Sequence, residues 1–249
     1  MQMMKPVVAL LLLGLFVTSC AKPAPDAQPW QPQAGQAVKP LKASTKRVVY
    51  SQAWAVQTQA AYATATRYVA DYANRLPHRD WAVVMDLDQT VLNNIQYQVA
   101  LDQRGASYAP ETWRAWVEAR QASLIPGARD FIHYVTTRGG HVVFVSNRRS
   151  YEHDATVDNL RDLGIEPHRN YVSMLLREWP DGSDSKESRF AAVPDLLAQH
   201  GIADAAVVAY VGDVEGDRPA QNKAAFFCIP QGELYGKNCR KHQINMTQN

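Results

Sequence analysis

Two aspartates one residue apart, Asp86 and Asp88, close the stretch Trp81-Ala82-Val83-Val84-Met85-Asp86-Leu87-Asp88-Gln89-Thr90. The apolar run reads as a buried strand, and the two acids fall at its exit. Like charges at that spacing push one pKa upward unless something positive lies between them. A divalent cation together with a phosphate-binding pocket removes the conflict. One carboxylate can then attack phosphorus while the other carries a proton. An isolated Asp-x-Asp is more often a polar turn after a strand, so the weight rests on what the rest of the chain supplies.

The strand-then-polar arrangement recurs twice. His141-Val142-Val143-Phe144-Val145 leads into Ser146-Asn147, and Val207-Val208-Ala209-Tyr210-Val211 leads into Gly212-Asp213, with Asp217 four residues on. Lys186 falls between them. In order, the chain offers Asp-x-Asp-x-Thr, Ser, Lys and Gly-Asp-x-x-x-Asp. This resembles the four-part signature of the haloacid dehalogenase (HAD) superfamily, and within it the phosphatase branch.

A phosphoester asks a site to neutralise charge, position a nucleophile in line and protonate a leaving oxygen. Asp86 is the expected nucleophile, forming an aspartyl-phosphate. Asp88 is the expected general acid and then general base. Magnesium is the expected cofactor, a hard cation that takes a few carboxylates and keeps waters and substrate oxygens elsewhere. The resemblance implies as its ligands the Asp86 carboxylate, the Asp88 backbone carbonyl and Asp213, with Asp217 supporting them. It implies that Ser146 donates its hydroxyl to the phosphate, that Asn147 offers its backbone N–H, and that Lys186 supplies positive charge at a helix start. Taken singly, Ser146 reads as a strand-end cap and Lys186 as one more solvated lysine.

These residues need a scaffold. Residues 47–75 lack Gly and Pro and predict one long helix ended by Pro77. Its apolar stripe runs through Val49, Ala53, Val56, Ala60 and Ala63, widened by Trp54, Tyr62, Tyr68, Val69 and Tyr72. Residues 91–125 are too long for a turn and predict an inserted cap, with a helix over 111–121. Helices are expected from Pro126-Gly127 to Val135, around 158–163 and over 186–200, the last kinked or broken at Pro194. Strands are expected at 141–146, 171–175, 206–212 and 224–229. Strands alternating with helices predict an α/β fold: a parallel Rossmann-like sheet flanked by helices, with a small helical cap inserted after the first strand. The polar residues then gather at the C-terminal ends of the strands, where ligands of such sheets bind.

Length and composition suffice for one sizeable domain with an insertion, or two small ones: 249 residues, 46% hydrophobic, 20% charged, formal net charge +2. No basic stripe interleaved with aromatics points to a nucleic-acid polymer as partner. No Ser-His-Asp set, P-loop or Rossmann glycine fingerprint is present. Lys5 followed by the apolar run 7–16 reads as an export signal over 1–19. Val17-Thr18-Ser19-Cys20 resembles a bacterial lipobox, which makes Cys20 the lipidated mature N-terminus. An ordinary signal peptide with a chance cysteine is the plainer alternative. Ala21 in place of an acid points to the outer membrane. Residues 20–45, rich in Ala, Pro and Gln, read as a tether, leaving 46–249 as the phosphatase domain. In an oxidising compartment Cys228 and Cys239 suit a disulfide worth about 3 kcal/mol, two free thiols being the alternative.

The cap sequence Glu111-Thr112-Trp113-Arg114-Ala115-Trp116-Val117-Glu118-Ala119-Arg120-Gln121, then Ile125-Pro126-Gly127-Ala128, Ser146-Asn147-Arg148, and Asn159-Leu160 before Leu163-Gly164 narrow the match. Over about residues 48–236 the chain resembles the class C acid phosphatases, lipid-anchored outer-membrane enzymes. The resemblance implies a magnesium-dependent phosphomonoesterase acting on 5′-nucleotides, possession of a nucleobase-stacking pair at Trp113 and Tyr235, and a homodimer. Cap-core packing is the other reading of that pair. Two positions depart from the pattern. Gln89 stands where the family usually has Glu, and the segment from Asp217 to Tyr235 is short. A surface lipoprotein that binds phosphate or nucleotide without turning it over is the alternative function.

Overall fold

A computed structural model of the chain describes residues 30–32, 35–75, 80–178, 184–221, 223–236 and 239. The expected signal segment 1–19 and Cys20 lie outside the described residues.

Two helices open the fold, α1 (Ala43–Tyr50) and α2 (Gln52–Arg75). The expected single helix breaks at Ser51, whose backbone is extended (φ −95°, ψ 108°) and whose Oγ accepts the Trp54 N–H at 3.4 Å. That break rotates the buried face. Thr45, Val48, Trp54, Thr58, Ala61, Tyr62, Ala65 and Val69 point inward, whereas Val49 and Val56 of the expected stripe are exposed.

β1 (Trp81–Met85) is buried throughout. The cap follows as a short ribbon, β2 (Leu92–Asn93) paired antiparallel with β3 (Ser123–Leu124), enclosing α3 (Ile95–Arg104) and α4 (Pro110–Ala119). Then come α5 (Ala128–Thr137), β4 (Gly140–Arg149), α6 (His153–Asp162), β5 (Ser173–Arg177), α7 (Glu187–Gln199), β6 (Ala206–Gly212) and β7 (Ala225–Cys228). α7 continues through Pro194 without a break.

The five-stranded sheet has the order β5-β4-β1-β6-β7, every pair parallel. The chain leaves β1 in one direction to β4 and β5, then returns to add β6 and β7 on the other side. β1 therefore borders the switch point, where the crevice for ligands opens. Alternation along the strands divides the core by parity. Trp81, Val83, Met85, Phe144, Val211 and Phe227 share one cluster with α2 and α5. Ala82, Val84, Val143, Val145 and Phe226 share the other with Phe190, Val193 and Leu197 of α7. Cys228 and Cys239 form a disulfide with Cα atoms 5.8 Å apart, a separation suited to the bond.

The segment expected as a tether over 20–45 is docked in its later part. Trp30 is buried and meets Trp116 of the cap edge-on at 5.7 Å. The Lys39 N–H donates to the Gln103 carbonyl at 2.8 Å. Asp102, buried on α3, accepts the Lys42 N–H at 2.9 Å and the Thr45 hydroxyl at 2.5 Å. The N-terminal arm thus straps onto the cap.

Candidate active site

Asp86 is the first residue beyond β1, and its N–H still donates to Val211 of β6 at 3.0 Å. The chain then turns tightly. Leu87 accepts from both the Val91 and Leu92 N–H groups, and Gln89 adopts a left-handed backbone (φ 58°) that few non-glycine residues take. The turn is fixed by buried contacts: the Gln89 N–H donates to the Leu92 carbonyl at 2.8 Å, and the Gln89 side-chain oxygen accepts the Asn94 N–H at 2.6 Å. Tyr62 of α2 donates its hydroxyl to the Thr90 carbonyl at 2.6 Å. Burial, then the nearby Asp86 and Asp213 charges, hold that phenol well above its usual range.

Lys186, the residue capping the start of α7, reaches Asp86 Oδ1 at 2.5 Å and Asp217 Oδ1 at 2.7 Å. Its pKa is pushed up: burial opposes the charge, but the two carboxylates outweigh it. The second Asp217 oxygen accepts the Asp213 and Val214 N–H groups, both at 2.9 Å. Gly212 makes room for this. A β-carbon there would lie 2.1 Å from the Asp217 β-carbon.

Asp86, Asp213 and Asp217 form one buried acidic group whose ligand atoms lie within 4.8 Å of one another. Burial is the main reason the Asp86 pKa rises to about 7, with Lys186 pulling it down and the Asp217 and Asp88 charges adding to the rise. Asp213 is pushed well above its usual range, by burial and then by Asp217 and Asp86. Its Oδ2 is buried without a hydrogen-bond partner among the described residues. Three buried carboxylates against one ammonium, with an orphaned oxygen, fit a hard divalent cation. Asp86 and Asp213 suit its carboxylate ligands. Both Asp217 oxygens are already committed to Lys186 and to the backbone.

Asp88 does not share this cluster of ion pairs. Arg148 grips its carboxylate with Nε at 3.0 and 3.2 Å and Nη2 at 2.8 Å, and Asn94 Nδ2 adds a contact at 2.9 Å. Arg148 is anchored in turn by Thr156 Oγ1 at 2.9 Å. Each acid also has its own side-chain cation, Lys186 for Asp86 and Arg148 for Asp88. Ser146, fully buried, accepts the Arg148 N–H on its hydroxyl at 3.2 Å. Ser146, Asn147 and Arg148 bulge from β4, where register with β5 slips between Val145 and Arg149. Asn147 is exposed; its side-chain oxygen accepts from Arg189 Nη2 at 2.6 Å and its Nδ2 donates to Asp184 at 3.0 Å.

A cavity of about 720 Å³ opens beside Asp88 and Arg148, with Trp113, Tyr97 and Tyr235 in its wall. The structure thus brings Trp113 and Tyr235 to one pocket. Arg148 lies over the Trp113 ring at 5.7 Å. Tyr235 follows β7, held by its N–H to the Gln231 side-chain oxygen at 2.6 Å. Although the residue is 44% exposed overall, burial around its phenol, then Asp88 and Asp213, push its pKa above normal, partly offset by a hydrogen bond with Asn94. Sequence reasoning gave no role to Tyr62, Asn94 or Arg148. Only Arg148 carried a signal, its place directly after Ser146-Asn147.

The profile of the HAD superfamily, subfamily IIIB (acid phosphatase), matches residues 20–235. Among solved structures, the Class C acid phosphatase from Bacillus anthracis is similar at TM-score 0.64 and 24% identity, over 78% of this chain and 84% of that one. The same protein with tungstate bound is similar at TM-score 0.64 and 22% identity, with the same coverage. At that identity the likeness speaks for the fold, the parallel sheet with its flanking helices. On the profile match, covering most of its length, the chain belongs to HAD subfamily IIIB, the acid phosphatases.

Proposed function

We propose that this acid phosphatase is an exported, lipid-anchored, magnesium-dependent phosphomonoesterase that hydrolyses small esters, 5′-nucleotides among them, through an aspartyl-phosphate on Asp86. The observation that carries the reading is the Asp86 carboxylate held at the switch point by Lys186, beside the orphaned oxygen of Asp213. Asp86 attacks phosphorus. Lys186 and the Ser146 hydroxyl hold the phosphoryl oxygens as charge builds on them. Asp88, oriented by Arg148 and Asn94, gives a proton to the leaving oxygen and later takes one from water. Asp86, Asp213 and the Asp88 carbonyl would hold a divalent cation, which when bound would neutralise charge at the phosphoryl group. Trp113 and Tyr235 offer flat faces to a base, each stack worth about 1–3 kcal/mol, and the cavity of about 720 Å³ suits a mononucleotide rather than a polymer.

The lipid on Cys20, the outer membrane as destination and a homodimer belong to the same reading, supported by the lipobox at 17–20 and the family resemblance. The test uses the full chain in detergent. Phosphate release from p-nitrophenyl phosphate and from nucleoside 5′-monophosphates is measured with magnesium, with EDTA and with Asp86→Asn. Magnesium-dependent release that falls by at least about a thousandfold in Asp86→Asn is expected. A folded protein with no release on any ester refutes turnover and leaves a binding lipoprotein.

A further inference from the structure

Three guanidinium groups meet at the cavity. Arg148 is gripped by Asp88; Arg149, beside the Glu152 carboxylate, and Arg177 also line it, together with Asp184. Arg149 and Arg177 are register partners on β4 and β5, so their side chains stand together on neighbouring strands. Like charges placed so are unfavourable by themselves. Arg177 is largely buried, its side chain 11% exposed, and pairs through Nη1 with the exposed Asp184. Its Nε is fully buried with no hydrogen-bond partner among the described residues. An ion pair with so exposed a partner contributes little, while an unsatisfied buried guanidinium N–H is costly. An oxyanion set against the two guanidinium groups meets the first of these deficits.

We infer that Arg149 and Arg177 form a second anion subsite, so that the substrates favoured are small phosphomonoesters carrying a second phosphoryl group. The inference rests on the phosphomonoesterase reading above and names the substrate class of that site. The sheet sets the span. Asp86 lies level with Val145 and Leu175, and Arg177 is two strands across and two residues further along. At about 4.8 Å per strand and about 3.3 Å per residue, the Cα separation is on the order of 12 Å. The two side chains close roughly half of it, leaving a span that a nucleoside 3′,5′-bisphosphate covers. Trp113 and Tyr235 flank the same cavity, where the base carried on the ribose between the two phosphates would lie.

The test compares kcat/KM for adenosine 5′-monophosphate and adenosine 3′,5′-bisphosphate, using the full chain with magnesium. The wild-type protein is expected to prefer the bisphosphate by about tenfold or more, the return on one charge-assisted contact. Arg177→Met and Arg149→Met are expected to bring that ratio toward one, losing more on the bisphosphate than on the monophosphate; Arg177→Lys keeps the charge without the fork and falls between. A wild-type ratio near one, or equal losses on both substrates, overturns the subsite. The wild-type ratio needs no variant, so a misfolded mutant leaves the question decided. Absence of hydrolysis on either nucleotide and on p-nitrophenyl phosphate would instead refute the phosphomonoesterase reading itself.

Discussion

Gly212→Ala isolates the contact on which the acidic cluster depends. The backbone of Gly212 is not in the left-handed region, so alanine adds no conformational strain and the effect is purely steric. The new β-carbon would sit 2.1 Å from the Asp217 β-carbon, 2.3 Å from Oδ2 and 2.5 Å from Cγ. Asp217 must move by more than an ångström to restore ordinary contact, and it is pinned at both oxygens. Moving it breaks the hydrogen bonds from the Asp213 and Val214 N–H groups and from Lys186. Charge-assisted bonds of this kind contribute about 1.5–3 kcal/mol each. With partial relaxation, the expected loss is about 3–5 kcal/mol, a large share of a typical folding free energy. Urea unfolding measures it. Repeating the substitution in an Asp217→Gly background removes the atom that is struck, and the added cost of Gly212→Ala should fall below about 1 kcal/mol. Equal costs in the two backgrounds would refute the steric argument. Phosphatase activity of the single variant should drop at least about a hundredfold, because Lys186 loses one partner and Asp213 its backbone anchor.

Two further perturbations test the surroundings of the site. Burial would raise the Asp102 pKa, but hydrogen bonds from Thr45, the Lys42 N–H, Gln98 and the Lys42 ammonium outweigh it and hold the carboxyl below its usual value. A depressed folded-state pKa contributes stability above the unfolded-state pKa of about 3.9, lost as pH falls through the folded value. Asp102→Asn should therefore destabilise the protein by about 1–3 kcal/mol near neutral pH, with a difference that shrinks below about pH 4; thermal melts across pH 3–7 check it. Arg148→Met leaves Asp88 without its fork, and kcat should fall about tenfold to a thousandfold with a smaller change in KM. An unchanged kcat in steady-state assays would remove Arg148 from the positioning of Asp88.

The sheet was legible because parallel strands covered on both faces leave continuous apolar runs, as at Trp81–Met85 and Ala206–Gly212. The helices were harder wherever packing overrode periodicity. α3, Ile-Gln-Tyr-Gln-Val-Ala-Leu-Asp-Gln-Arg, buries even its aspartate, and no apolar pattern announces a helix whose inward face includes an acid. The break at Ser51 rests on one residue turning extended, which shifts the register of every buried position after it. Trp30 lies in Pro- and Gln-rich sequence, and only the partner ring of Trp116 marks it as core. Within the site, residues at strand ends could be ordered from the sequence because the fold itself places them at one edge. Tyr62, Asn94 and Arg148 could not, since each acts by side-chain contacts across 28, 6 and 60 residues of chain.

The roles proposed for Asp86 and Asp88 fit that geometry. The two acids remain neighbours, the Asp88 charge still raising the Asp86 pKa, but their side chains have different partners. Asp86 faces the buried cluster, where Lys186 and the orphaned Asp213 oxygen favour a charge-dense centre suited to nucleophilic attack. Asp88 faces the cavity, its side chain 20% exposed and fixed by Arg148, where a leaving group and then water have access. A nucleophile needs a held position and neutralised charge, whereas a proton shuttle needs contact with what enters and leaves. The environments differ in the way the two roles require, which ties the Asp-x-Asp spacing to chemistry more firmly than the spacing does by itself.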